Sequence, residues 1–155
     1  MKKLDDGSLY LSKEDIFEYL KNRPPLLMIE EARVIAGKEA ISERVLREDE
    51  WFFACHFPGN PMMPGVLQLE AIFNTAALAI KTLDTNKDKT TNIANVSNVK
   101  YKRHILPLEK ITIKTYVEKY RRGLAFMKGE IDSNGELCCE ASFTLVILDE
   151  ILAVR

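Results

Sequence analysis

Two rhythms of apolar residues divide this chain. Ile111, Ile113, Thr115 and Val117 alternate with Thr112, Lys114, Tyr116 and Glu118, the period-2 pattern of a half-buried strand. Ala125, Met127, Gly129 and Ile131 continue the alternation. Ser133-Asn134-Gly135 predicts a hairpin turn, because Asn-Gly readily takes positive φ. Cys139, Ala141, Phe143, Leu145 and Ile147 then form the inward face of a last long strand. Asn92 to Arg103 predicts another strand, as do Leu26 to Ile35 and Glu39 to Leu46, with Gly37 turning between the latter two. From Val66 to Leu83 the rhythm changes. Apolar residues occupy nearly every helical face, so this helix belongs at the centre of the fold.

A smaller helix opens at Ser12, a natural N-cap followed by Glu14 and Asp15 in the first turn. Ile16, Phe17, Tyr19 and Leu20 supply its apolar face, and Arg23-Pro24-Pro25 stops it. Trp51-Phe52-Phe53 is an aromatic cluster. Phe57 to Gly65, with prolines at 58, 61 and 64 and glycines at 59 and 65, reads as a rigid loop. Asp84 to Thr91 is a polar, exposed connection. One central helix, one small helix and about six mostly antiparallel strands make an α+β fold. Its simplest form is a curved sheet wrapped around the long helix.

The chain has 155 residues, which suits one domain spanning 1–155. Its 22 Lys+Arg against 23 Asp+Glu argue against general nucleic-acid binding, which needs a basic excess. A hydrophobic share of 46% is enough to build a core and argues against disorder. Gly65 to Leu83 contains Gln68, Glu70, Asn74, Thr75 and Lys81, too polar for a bilayer span, and Met1 to Asp6 lacks the apolar run of a secretory signal. Three cysteines, Cys55, Cys138 and Cys139, with no CxxC fit a reducing cytoplasm better than a disulfide framework.

Candidate chemistry concentrates where the loop meets the long helix. His56 stands between the aromatic cluster and the proline-rich loop, and a packed or capping histidine is its structural alternative. Glu70 lies among Leu67, Leu69, Ala71, Ile72 and Phe73. Burying a carboxylate there costs several kcal/mol unless it is paired or protonated. The only helix cation, Lys81, is eleven positions away, so a functional carboxyl with a raised pKa is the better reading. Pro64 opens the helix, and Gly65 leaves its N–H uncovered at the positive end of the helix dipole, suited to a developing oxyanion. No metal cluster, Walker loop or dinucleotide fingerprint points to a cofactor.

The run His56-Phe-Pro-Gly-Asn-Pro-Met-Met-Pro-Gly-Val-Leu-Gln-Leu-Glu70-Ala closely resembles the signature of the hot-dog-fold 3-hydroxyacyl-acyl-carrier-protein dehydratases of fatty-acid synthesis. The spacing of fourteen from His to the acid matches, as does Met-Pro-Gly at the helix start. Glu in that place is similar to the broad-specificity branch, where the isomerising branch has Asp. Arg23-Pro-Pro-Leu-Leu-Met-Ile-Glu30 is similar to the family's proline-containing first strand, and Lys100-Tyr-Lys-Arg-His-Ile-Leu-Pro107 to its basic, aromatic strand. The likeness spans about Leu11 to Leu148.

The resemblance implies a hot dog whose active sites form at a dimer interface, with His of one subunit facing the acid of the other. His56 would then remove the α-proton of a 3-hydroxyacyl thioester, Glu70 would protonate the departing hydroxyl, and the Gly65 N–H would hold the thioester carbonyl. Asn74, Phe57 and Val66 would support them, and no cofactor is needed. Phe52, Phe53, Met62, Met63 and Phe73 are candidates to line an acyl tunnel, core packing being the alternative for each. The family's acyl carrier protein is acidic, so Lys100, Lys102, Arg103, Arg121 and Arg122 are candidates to meet it. The functional unit is at least a homodimer, and a trimer of dimers is left open. Cys55, Asn74, His104 and Leu108-Glu109 depart from the family's usual Gly, Gln, Pro and Gly-Asp, leaving the catalytic pair intact but specificity in question. A hot-dog thioesterase and a non-catalytic acyl-carrier-binding module stay open as alternatives.

Overall fold

The computed structural model describes residues 1–149. Strands β1 (Lys2–Lys3) and β2 (Leu9–Leu11) precede helix α1 (Lys13–Tyr19), followed by β3 (Ala32–Ile35) and β4 (Glu39–Val45). Helix α2 (Gly65–Lys81) comes next, then β5 (Thr91–Tyr101), β6 (Lys110–Arg121), β7 (Leu124–Ser133) and β8 (Glu136–Ile147). Every strand pair is antiparallel, in one eight-stranded sheet of order β1-β2-β3-β4-β6-β7-β8-β5. The expected count of about six was short by two. Strands of two and three residues, β1 and β2, are too brief for alternation to register.

The alternation does its expected work in the long strands. Ile111, Ile113, Thr115, Ala125, Met127, Ile131, Cys139, Ala141, Phe143, Leu145 and Ile147 are buried. They face α2, whose own buried set includes Ala71, Ile72, Thr75, Ala76, Leu78, Ala79 and Ile80. Contact is closest at Gly129, where an added Cβ would collide with Ile72 Cγ2, so a bare backbone lets helix and sheet meet. Asn134 and Gly135 take φ of 51° and 77°, as the hairpin reading requires. Arg122-Gly123 makes a second such turn, with φ of 52° and 76°. No helix among the described residues is long and apolar enough to cross a membrane.

Two predicted boundaries are corrected. Helix α1 has the expected Ser12 cap with a full capping box, but it ends at Tyr19 rather than running to Arg23. Arg23 folds back instead, its guanidinium donating to the carbonyls of Phe17, Leu20 and Asn22 at 3.1, 2.7 and 2.9 Å. It thereby satisfies orphan carbonyls at the helix end. The strand expected from Leu26 to Ile35 is only Ala32–Ile35. Upstream, backbone groups that a ladder would use are taken by other partners. The N–H groups of Leu26 and Leu27 bond Arg23 O. Met28 N–H donates to Asn74 Oδ1 at 2.8 Å, and Met28 O accepts from Arg44 Nη1 at 2.9 Å. Arg44 is itself paired with Glu50 at 2.6 Å, both side chains 6% exposed, so this segment is pinned from inside.

Candidate active site

His56 lies within the turn-rich stretch that starts at Trp51, and its peptide with Phe57 is cis. His56 Nδ1 lies 2.9 Å from Met62 O. A carbonyl only accepts, so Nδ1 carries the hydrogen, and in the neutral ring it is Nε2 that presents the lone pair, the tautomer of a base. Phe57 stacks on the imidazole with ring centroids 4.1 Å apart. The loop is closed on itself by paired bonds between Phe57 and Asn60, at 2.9 and 2.8 Å, and by Met62 N–H to His56 O at 2.9 Å. Proline density therefore becomes a rigid mount for one side chain.

Nine residues after His56, Gly65 starts α2 behind Pro64, whose side chain offers no cap. Among the described residues no carbonyl takes the Gly65 N–H. The Tyr101 ring packs against the glycine so closely that an added Cβ would lie 2.7 Å from its Cζ. Glycine is thus favoured here by a close approach. Buried Gln68 donates to Met63 O at 3.1 Å and ties helix to loop. His56, Met62, Met63 and Gly65 line one cleft together with Gln68, Tyr101, Lys102, Arg103 and His104. Tyr101 was not anticipated as part of it. Its aromatic strand was noted, but no local signal links residue 101 to residue 65.

Glu70, one helical turn further, opens on a different cleft with Asn22, Phe73, Asn74, Ala77, Thr91, Asn92, Ile93 and Leu145. Burial among these groups pushes its carboxyl above the ordinary value of 4.5, partly opposed by the Asn74 hydrogen bond. Asn74 Nδ2 donates to Glu70 Oε1 at 3.2 Å, and Asn22 Nδ2 donates to the same oxygen at 3.3 Å. The sequence pointed to Asn74. Asn22, forty-eight positions away, carried no signal.

One protomer therefore holds His56 and Gly65 in one cleft and Glu70 in another. The two clefts lie toward opposite ends of β5: Tyr101 borders the first, and Thr91, Asn92 and Ile93 border the second. β5 is an edge strand with largely exposed residues. Of the anticipated tunnel residues, Met62 and Met63 line the His56 cleft and Phe73 the Glu70 cleft, while Phe52 and Phe53 are buried in the core and line neither. Val66 is 72% exposed beside Gly65.

The anticipated cations are scattered. Arg103 is held in a bidentate pair with Glu109 at 2.8 Å for each bond, and its Nε reaches Glu136 at 3.1 Å. Lys100 and Lys102 extend near Glu140, each 3.9 Å from Oε1. Arg121 and Arg122 lie at the β6–β7 turn, toward the other end of the sheet. Among the described residues no cluster of three His, Cys, Asp or Glu side chains is placed to hold a metal.

The FabA-like domain family matches residues 20–142 of the chain. A 3-hydroxyacyl-acyl-carrier-protein dehydratase FabZ from Latilactobacillus sakei subsp. sakei is 35% identical, over 88% of this chain and 99% of the relative. The FabZ dehydratase of Clostridium acetobutylicum is 33% identical, over 89% of this chain and 99% of its own. In fold the chain is similar to the dehydratase heterocomplex ApeI:P from Xenorhabdus doucetiae, with a TM-score of 0.73 at 13% identity, covering 90% of this chain and 95% of that one. It is also similar to a hypothetical thioesterase with coenzyme A from Streptococcus pneumoniae TIGR4, with a TM-score of 0.58 at 16% identity over 73% and 80% of the two chains. These likenesses identify a helix-in-sheet hot dog.

Proposed function

The chain belongs to the FabA-like domain family, and from that premise we propose that it is a 3-hydroxyacyl-acyl-carrier-protein dehydratase whose site is shared between two protomers. The observation that carries the shared site is the division of the chemistry between clefts toward the two ends of one edge strand. Thr91 and Tyr101 lie five residues either side of Val96. If β5 pairs antiparallel with a second copy about Val96, the Tyr101 end of one protomer lies beside the Thr91 end of the other. His56 and Gly65 then face the partner's Glu70. Such pairing also satisfies an exposed sheet edge. A single dimer completes both sites, and a trimer of dimers would add no catalytic group.

In this site His56 Nε2 takes the α-proton. Negative charge grows on the thioester oxygen, where the Gly65 N–H and the α2 dipole oppose it. As the C3–O bond breaks, Glu70 gives its proton to the leaving hydroxyl, and water and a trans-2-enoyl thioester result. Glu70 must start protonated, and its burial favours that form. A thioesterase on this scaffold would need Glu70 ionised to activate water, which the same burial disfavours. The elimination calls for no redox cofactor.

An acidic acyl carrier protein belongs to the same proposal. The two-fold brings Arg121 and Arg122 of one protomer toward the end of the dimer where the partner's Lys100 and Lys102 project. A cytoplasmic location is supported by three free thiols.

Mixing two inactive proteins tests the reading. His56→Ala and Glu70→Gln should each lose roughly 10²–10⁴ in turnover of a carrier-linked 3-hydroxyacyl thioester. Refolding them together should restore about a quarter of wild-type activity, because half the dimers are mixed and each holds one intact site. Enoyl absorbance gives the rate. No recovery on mixing rejects the shared site, full activity in either single variant rejects the catalytic roles, and release of free thiol without enoyl absorbance turns the reading to a thioesterase.

A further inference from the structure

The two oxygens of Glu70 are treated differently. Oε1 accepts from Asn74 Nδ2 at 3.2 Å and from Asn22 Nδ2 at 3.3 Å. Among the described residues Oε2 has no donor. In a neutral carboxylic acid the carbonyl oxygen is the strong acceptor and the hydroxyl oxygen bears the hydrogen. Two N–H groups on Oε1 therefore mark it as the carbonyl.

The Asn74 amide is held in the orientation this requires, and the backbone that carries Asn22 is fixed beside it. Asn74 Oδ1 is occupied by the buried Met28 N–H at 2.8 Å, which turns Nδ2 toward Glu70. Asn22 lies on the exit from α1, where exposed side chains usually wander, yet its backbone is stapled. Arg23 donates to the carbonyls of Phe17, Leu20 and Asn22, and its guanidinium lies over the Phe17 ring at 4.7 Å. The side chains lining the cleft from α2, β5 and β8 are uncharged apart from Glu70. On the α1 exit, Lys21 is turned to Thr90 Oγ1 at 3.1 Å, and Arg23 is engaged as described. The two amides thus supply the polar contacts that bear on the acid within one protomer.

We propose that Asn22 is a positioning residue for the acid: with Asn74 it clamps Oε1 of Glu70, so that the transferable proton stands on Oε2. This rests on the reading of Glu70 as general acid. As the C3–O bond breaks, the Oε2 proton passes to the departing oxygen, and the pair freed by His56 from the Cα–H bond forms the C2=C3 double bond. The carboxylate left behind keeps two N–H donors on Oε1, which stabilise its charge.

Asn22→Ala and Asn22→Asp in the full chain test this, with turnover followed against pH under single-turnover conditions. Losing one donor weakens the charged form, so Asn22→Ala should raise the alkaline limb of the pH profile and lower the rate roughly tenfold, with KM little changed. Asn22→Asp sets a second carboxylate beside Glu70 and should move the limb further in the same direction. Circular dichroism confirms that each variant is folded. A limb that stays put in both, whatever the change in rate, overturns the clamp. Glu70→Gln separates the two layers: if it keeps turnover, the acid reading itself falls, whereas a dead Glu70→Gln with an unmoved Asn22 limb removes the clamp alone.

Discussion

Glu70 shows how one residue's burial is used twice. A carboxyl on an apolar helix holds its proton more firmly when folded than when unfolded. The folded state therefore binds the extra proton, and stability falls as pH rises from the ordinary carboxyl value of 4.5 through the raised folded value. Glutamine keeps the shape and the acceptor for both amides but never ionises. Glu70→Gln should thus match the wild type in thermal stability below pH 4.5 and exceed it at pH 8, a trade of stability for activity. Melting curves at both ends check this, and a variant less stable at pH 8 would contradict it. Arg103 shows the reverse, a charge consumed by structure. Glu109 raises its pKa, and the pair anchors the β5–β6 connection rather than leaving a free cation. Lys100 and Lys102, 3.9 Å from Glu140, are held more loosely than Arg103.

Among the elements, the contact between α2 and the sheet governs the rest, because α2 carries both Gly65 and Glu70. Its register against β7 is set where Gly129 admits Ile72. Gly129→Ala forces a methyl into a fully buried branched side chain and should destabilise the fold by about 1–3 kcal/mol. Denaturant titration measures it, and the cost should shrink when Gly129→Ala is made in an Ile72→Ala background, which removes the colliding Cγ2 methyl. If the cost is the same in both backgrounds, it comes from backbone conformation and not from the helix contact. The segment from Leu26 to Glu31 gives the complementary lesson. Its apolar run reads as a strand, yet Asn74 and Arg44 take the backbone groups of Met28. The side chain that bonds the Glu70 carboxyl is therefore one of the two that keep this segment out of the sheet.

For the whole molecule the decisive feature is that one protomer opens His56 and Glu70 on separate clefts. Two-fold pairing of β5 would place Val96 opposite its own copy. Val96→Glu would set two carboxylates across that axis, where like charges repel. Sedimentation should then report monomer, with turnover lost together with the dimer, although His56 and Glu70 are untouched and the fold by circular dichroism is retained. A monomer that still turns over would place the whole reaction within one chain. The net charge of −1 is uninformative at this scale. Arg121 and Arg122 sit at one end of the sheet and Lys100 and Lys102 toward the other, and the proposed two-fold would bring the two groups together.

The local arithmetic of the chain determined much by itself. Alternation in Ile111–Val117 and Cys139–Ile147 marked the inward faces, because strand side chains have a fixed period of two. Ser12, Asn134-Gly135 and Pro64-Gly65 marked a cap, a turn and a helix start, since those backbone geometries suit few residues. His56, Glu70 and Gly65 stood out through chemistry in a specific motif. Tertiary structure alone decided that Asn22 reaches Glu70, that Tyr101 closes on Gly65, that Arg103 is already paired, and that His56 and Glu70 open on separate clefts. Each of these is a meeting of residues far apart in the chain or a competition among partners. Such encounters depend on how elements pack, and neither periodicity nor local propensity carries that information.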